Sequence, residues 1–192
     1  DRHGLTALHW AGWHGHLHTI KVLVQQCGAT LQKDSDGLTA IHWAALNGNS
    51  EAVRFLIKEC NGNADDQDSN GVTALHAAAG NAHTATVEVL LRECGCDPHL
   101  KDLDGMSALH WAAQVGNTQS IATLVKEFGA DVNVKNTQGM TPLHLAAAHN
   151  HVEAAQELCL SLAAERNPSD RRGITPLLGA LANGCTETAQ VL

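Results

Sequence analysis

A chain of 192 residues with 44% hydrophobic content can build a sizeable core, and its net charge of −8 argues against a surface that follows the phosphates of nucleic acid or an acidic membrane. Twenty acidic residues stand against twelve basic ones, with no basic cluster beyond Arg171 and Arg172. No apolar run approaches the roughly 18 residues of a membrane-spanning helix, and no leader-like segment opens the sequence. We therefore expect an intracellular, cytoplasmic chain without membrane insertion.

One nine-residue pattern recurs along the whole chain. Its fullest copy runs from Gly139 to Ala147. Four near copies precede it and one follows, at steps of 33 or 34 residues. Such a period is typical of tandem arrays in which each unit buries its apolar face only against its neighbours. We expect a single domain over residues 1–192, with an incomplete first and last repeat and with repeats that begin near residues 4, 37, 71, 105, 139 and 173.

The pattern predicts a short helix in every repeat. A hydroxyl residue two positions after the leading glycine can cap the first N–H groups of a helix, and Pro142 and Pro176 then occupy the first helical position. A second helix follows, with an apolar stripe at i, i+3 and i+4 such as Val53, Leu56 and Ile57. The predicted caps are Thr6, Thr39, Thr73, Ser107, Thr141 and Thr175.

The motif Gly-x-Thr-Ala/Pro-Leu-His-x-Ala-Ala, followed by Gly-Asn and later by Gly-Ala-Asp-Val-Asn, resembles the ankyrin repeat. The resemblance covers the whole chain and implies an all-α ankyrin-repeat solenoid, in which stacked helix-turn-helix units carry projecting β-hairpin-like loops. The sixth repeat departs by having Leu178 in place of histidine. Ala82 stands at an inter-helix turn that normally has glycine. One extra residue precedes Gly28 and Gly129, and we place it in the last turn of the second helix.

Thirteen histidines raise the question of a metal site. Histidines at one register of successive helix layers lie roughly 8–10 Å apart, too far to share an ion whose ligands lie at about 2 Å. We expect this set to tie each loop to its own helix, and expect the alternating histidines at the helical turns to point apart, so that no metal is predicted. The first set is His9, His42, His76, His110 and His144; the second is His14, His16, His18, His149 and His151.

The sequence contains no enzyme signature. We find no nucleophile elbow, phosphate-binding loop, metalloprotease helix or dinucleotide glycine pattern, and therefore predict neither catalysis nor a cofactor. Cys27, Cys60 and Cys94 occupy one register in successive layers, where the spacing exceeds the ~7 Å limit for a disulfide, so we expect reduced thiols.

Tryptophans occupy two registers of the first helices. Trp10, Trp43 and Trp111 alternate with alanine and leucine in other repeats, which indicates core filling. Trp13 lies at a register of mixed residues such as Leu46, which indicates exposure.

The resemblance implies that a monomeric domain binds another protein through its concave face and loop tips. The residue after each leading glycine is apolar in all six repeats, which suggests a ridge of the kind that marks interfaces, although these residues could instead only steady the loops. The ridge residues are Leu5, Leu38, Val72, Met106, Met140 and Ile174; the other candidate contacts are Trp13, His14, Leu46, Asn47, Asn81 and Gln114.

Two further hypotheses follow from the resemblance. Arrays of this kind are often fused to enzymes or channels, for which this segment would be a docking or regulatory arm. Ankyrin arrays can also be substrates of an intracellular asparaginyl hydroxylase, and Asn133 in Asp131-Val132-Asn133 is the candidate residue.

Overall fold

A computed structural model describes residues 2–192. The chain forms two compact units that are divided between Asp97 and Pro98, so that a single domain over the whole chain stays a prediction. The first unit contains helices α1 (Ala7–Trp13), α2 (Leu17–Gln25), α3 (Ala40–Leu46), α4 (Ser50–Lys58), α5 (Ala74–Gly80) and α6 (Thr84–Glu88). The second contains α7 (Ala108–Gln114), α8 (Thr118–Ala122), α9 (Pro142–Ala148), α10 (Val152–Gln156), α11 (Pro176–Ala182) and α12 (Thr186–Val191).

The all-α prediction is confirmed. Across residues 2–192 the only β-type pairing is an isolated bridge between Lys101 and Ser107, so the loops expected to resemble hairpins consist of turns. None of the helices formed by these residues has the length and apolar character needed to cross a bilayer.

Within each unit the helices form two layers. The odd-numbered helices pack against one another in one layer, and each packs against the even-numbered helix that follows it. Small residues allow close approach in the first layer, since a Cβ added at Gly12 would lie 2.6 Å from the carbonyl oxygen of Ala40. Fully buried aliphatic residues such as Leu56, Leu90 and Leu124 supply the second layer's side of the core.

The predicted caps lie where the sequence placed them. Each hydroxyl residue is the N-cap of an odd-numbered helix, and Pro142 and Pro176 are first helical residues. In the first five repeats the cap is reciprocal, because the histidine at the third helical position accepts a hydrogen bond from the N–H of the cap residue. The donor-to-Nδ1 distances are 3.0, 3.1, 3.2, 3.1 and 3.1 Å along the chain.

The histidines at the third helical position, here called the ladder histidines, are His9, His42, His76, His110 and His144. Four of them, His9, His42, His110 and His144, also bind the loop of the following repeat, which the sequence did not predict. His9 donates from Nε2 to the carbonyl of Leu38 at 3.2 Å, and His110 donates to that of Met140 at 3.0 Å. Because a backbone N–H can only donate to Nδ1 and a carbonyl can only accept from Nε2, the ring must be the neutral tautomer with its proton on Nε2. The histidine therefore ties the loop to its own helix, as expected, and in addition joins consecutive repeats.

Several second helices end in wide turns, among them those of the first and fourth repeats, where the sequence has an extra residue before Gly28 and Gly129. The helix continues beyond α6, α8 and α10 as π-helical segments Val89–Glu93, Thr123–Glu127 and Glu157–Ser161. In the first repeat the Cys27 N–H likewise reaches the carbonyl of Val22 at 3.2 Å, five residues back. A single π-type turn accommodates one inserted residue without breaking the helix, as expected for a longer last turn.

Ala82 occupies a strained turn, and its replacement by glycine should stabilise the fold. Its φ is +58°, in the left-handed region that an L-residue enters at a cost. We expect Ala82→Gly to raise the free energy of unfolding by about 0.5–1 kcal/mol in urea melts. The matched control, Gly95→Ala, has a φ of +70° and open space for the added methyl group, and should lower stability by a similar amount. A loss of stability in Ala82→Gly would contradict this account of the turn.

The histidine ladder should make stability depend on pH. The pKa values of His42 and His144 are lowered, chiefly because burial disfavours the charged ring. Unfolded histidines titrate near 6.5, so the stabilisation is complete above about pH 6.5 and is lost as pH falls from there through the lowered folded-state pKa. We expect the free energy of unfolding to decrease between about pH 7.5 and 5.5.

The variant His42→Gln tests the origin of this dependence. Glutamine at the third helical position can still accept from the N–H of Thr39 but does not titrate. The wild type should therefore lose more stability than His42→Gln over the same pH range. Equal losses in urea melts would show that His42 does not contribute to the pH dependence.

Candidate functional site

In four of the predicted ridge residues, both the backbone N–H and the backbone C=O are hydrogen-bonded within the protein. In the second repeat, the Asp34 carboxylate accepts from the N–H of Leu38 at 2.9 Å, while the carbonyl of Leu38 accepts from His9. The same pair of bonds holds Val72, through Asp68 and His42. In the second unit the residues held in this way are Met140, through Asn136 and His110, and Ile174, through Asp170 and His144.

The side chains of the ridge residues are all half-buried. This holds for Leu5, Leu38 and Val72 in the first unit and for Met106, Met140 and Ile174 in the second. Neighbouring loops within a unit are joined by backbone hydrogen bonds, such as Ser69 N–H to the carbonyl of Asp36 at 2.9 Å. Each unit therefore carries three partly exposed apolar side chains on loops whose backbone is fixed.

Several polar candidates are already engaged within the protein. The Asn47 amide donates to the carbonyl of Trp43 at 3.1 Å, and the Asn81 amide donates to that of Ala77 at 2.8 Å. The backbone carbonyl of Leu46 accepts from His83 at 3.0 Å. Both asparagines thus close the end of their own helix, which leaves the side-chain oxygen for contacts elsewhere. Gln114 is exposed, and its backbone carbonyl accepts from His151.

Three tryptophans lie together in the first unit. The rings of Trp13 and Trp43 pack at 4.8 Å between centroids, and the indole N–H of Trp43 donates to the Asp34 carboxylate at 2.9 Å. Trp10, with 52% of its surface exposed, stacks loosely on His14 at 6.2 Å. These rings border a pocket of about 160 Å³, whose lining residues are Leu5, His9, Trp10, Trp13 and Trp43.

The structure places Leu5 and Trp13, two of the candidate contacts, in the lining of one pocket, and it adds His9, Trp10 and Trp43 to that lining. Trp10 and Trp43 were expected to fill the core. Trp43 is half-buried and Trp10 is exposed, so this prediction is wrong for Trp10. The aromatic-aliphatic interchange at their register was therefore not a sign of burial.

The turn histidines differ from expectation as well. The rings of His14 and His16 are stacked at 5.4 Å, and those of His149 and His151 at 6.3 Å, so they do not point apart. His151 donates from Nε2 to the carbonyl of Gln114 at 2.9 Å, because a carbonyl oxygen can only accept. Between residues 2 and 192 no group of three or more potential ligands is arranged to hold a metal ion.

Asn133 lies in a turn near the loop tip of the fourth repeat. It is half-buried, and its side-chain oxygen accepts from the N–H of Glu165 at 2.9 Å. Its own N–H donates to the Asp131 carboxylate at 2.9 Å. Asn133 therefore links two successive loops instead of projecting freely from one.

The cysteines are all free. Burial is the main cause that raises the pKa of Cys60, Cys94, Cys96 and Cys159, which favours the thiol over the reactive thiolate.

The face formed by the second helices is charge-paired. Arg54 contacts Glu51 and donates to Glu93 at 2.6 Å, and this hydrogen bond is the main cause that lowers the pKa of Glu93. Lys21 lies 5.5 Å above the ring of Phe55. Arg54 and Lys21 on this face thus have partners within the protein, whereas the tryptophan pocket is lined in part by exposed apolar side chains.

The comparisons with known proteins agree with the repeat pattern. The family model described as ankyrin repeats (3 copies) matches residues 8–102, 82–170 and 109–192. The comparison with curated proteins gave no match. Because the matched segments together run from residue 8 to residue 192, the chain belongs to the ankyrin repeat family.

Proposed function

We propose that this chain is a non-catalytic, intracellular recognition module that binds a partner protein through its first-helix layer and loop tips, the side that the family resemblance makes concave. Ankyrin repeats are generally protein–protein interaction modules. We choose this face because the backbone of four ridge residues is hydrogen-bonded at both N–H and C=O, an arrangement here called the backbone clamp. Leu38 and Val72, for example, have both N–H and C=O bonded internally while their side chains stay partly exposed.

Such a clamp favours binding because it removes the entropic cost of ordering the loop when a partner arrives. Side chains presented on fixed backbone act as preorganised contacts. A steadying role alone would need the side chains to be covered, and those of Met106 and Met140 are only half-buried. The ridge therefore suits a partner that supplies complementary apolar groups.

The polar surroundings suggest the charge of that partner. Exposed acids and amides such as Asp36, Asn70, Asp104 and Gln138 flank the ridge. Opposite charges across an interface increase the association rate and exclude unsuitable partners. We therefore expect a partner segment that combines apolar anchors with lysine or arginine.

Two substitutions test the proposed face. Trp13→Ala removes an exposed aromatic side chain beside the ridge, and Met106→Ser removes one ridge contact in the second unit. We expect Trp13→Ala to lower the affinity for a captured and purified partner by roughly 30-fold or more, as is usual for a tryptophan anchor. Met106→Ser should lower that affinity by about fivefold.

Both variants must first match the wild type in circular dichroism and melting temperature. Leu160→Ser, at an exposed position of the second-helix face, is the matched control and should bind like the wild type. If the two test variants fold and bind as tightly as the wild type, the partner does not use this face.

Asn133 remains a second proposal, as a site of hydroxylation. The side-chain oxygen and the backbone N–H of Asn133 are hydrogen-bonded, so an enzyme must first release the loop, and modification should be faster in variants that loosen it. We expect intact-mass analysis of protein from animal cells to detect one added oxygen in the wild type and none in Asn133→Gln. An unmodified wild type in cells that contain such an enzyme would contradict the proposal.

A further inference from the structure

We propose that the pocket lined by Leu5, His9, Trp10, Trp13 and Trp43, here called the indole pocket, receives a phenyl or isobutyl side chain from a lysine- or arginine-rich segment of the partner protein. The inference rests on the proposed function, protein recognition, and adds to it the pocket that receives the apolar anchor and the size of that anchor. Three observations support it: the apolar wall of the pocket, the volume of the pocket and the acidic residues around it.

The wall of the indole pocket is carbon. The two ring nitrogens of His9 are bonded to Thr6 and to the carbonyl of Leu38, and the indole nitrogen of Trp43 is bonded to Asp34. The polar atoms of these two lining residues therefore have partners already, and what they present to the pocket is ring carbon. A polar ligand would lose hydrogen bonds to water there without replacement, so the site selects an apolar group.

The size of the pocket limits the group that can enter. Its volume of about 160 Å³ is close to the roughly 150 Å³ of a protein cavity that binds benzene. A phenyl or isobutyl group fits this space, whereas a methyl group would leave most of it empty. The wall is also held in position, since Trp43 is fixed by both Trp13 and Asp34.

The loop edge next to the indole pocket is acidic. Residues 2–5, 33–38 and 65–72 contain five aspartates against two bases, Arg2 and Lys33, and the Lys33 ammonium already donates to the carbonyl of Gln67. The other bases of the first unit are Lys21 in α2, Arg54 and Lys58 in α4, and Arg92 in the π-helical segment after α6. The residues on either side of the apolar anchor should therefore be basic.

The test uses pentapeptides and the indole N–H signals of ¹⁵N-labelled protein, each assigned by a Trp→Phe variant. The probe is acetyl-Lys-Lys-Phe-Lys-Lys-amide, and its controls have alanine in place of phenylalanine or glutamate in place of lysine. The phenylalanine–lysine probe should shift the signals of Trp10, Trp13 and Trp43 saturably. It should bind at least about tenfold more tightly than either control at low ionic strength.

Trp111 provides an internal control. It occupies the register of Trp43 and makes the same bond, from its indole nitrogen to Asp102 at 3.0 Å, but it is in the second unit. Its signal should not move. Trp13→Ala and, separately, Trp10→Ala should abolish the preference for phenylalanine over alanine, while Leu103→Ala, at an exposed leucine of the second unit, should leave it unchanged.

Four results would overturn the inference. These are equal binding of the phenylalanine and alanine peptides, equal binding of the lysine and glutamate peptides, retention of the preference in both tryptophan variants, and concentration-dependent shifts of the same signals without peptide, which would assign the pocket to a second copy of the chain. If the peptides fail but Met106→Ser still weakens the captured partner, only the indole-pocket assignment is wrong. If Met106→Ser and Trp13→Ala are both without effect on that partner, the proposed function is wrong as well.

Discussion

In four of the repeats, one histidine links the start of its own helix to the packing of the repeats. In each of the first five repeats a buried histidine accepts from the N-cap residue of its own helix. His9, His42, His110 and His144 also donate to the loop of the next repeat. A neutral ring has one acceptor and one donor nitrogen, so a single protonation state satisfies both bonds. The N-cap bond and the bond between repeats therefore depend on the same tautomer of the ring.

This arrangement explains how a short loop can serve as a binding surface. Loops usually gain mobility where they lose internal contacts, but here Leu38, Val72, Met140 and Ile174 are each bonded at both N–H and C=O. The chain can therefore vary the side chain at this position without altering the loop. The same loops fix the tryptophans, since Asp34 bonds both the N–H of Leu38 and the indole of Trp43.

Much of the fold could be predicted from the sequence because its signals are local and repeated. N-caps such as Thr39, the prolines at the first helical position and the extra residue in the last turn each have a cause within a few residues. The bond from His9 to Leu38 could not be predicted, since it depends on which atoms of a neighbouring repeat face the ring. The exposure of Trp10 was missed for a related reason: residue exchange at a register indicates tolerance, and tolerance is found on surfaces as well as in cores. The aspartates that organise the loops were also missed, although their spacing of two and four residues before bonded N–H groups, as for Asp34 and Leu38, is a detectable signal.

The most direct test of this account is the tautomer of the ladder histidines, measured by long-range ¹H–¹⁵N correlation near neutral pH. We expect His9, His42, His110 and His144 each to carry the proton on Nε2, with Nδ1 unprotonated. A proton on Nδ1 of these four rings, or a charged ring at that pH, would contradict it, because the N–H of the cap residue would then face a second donor.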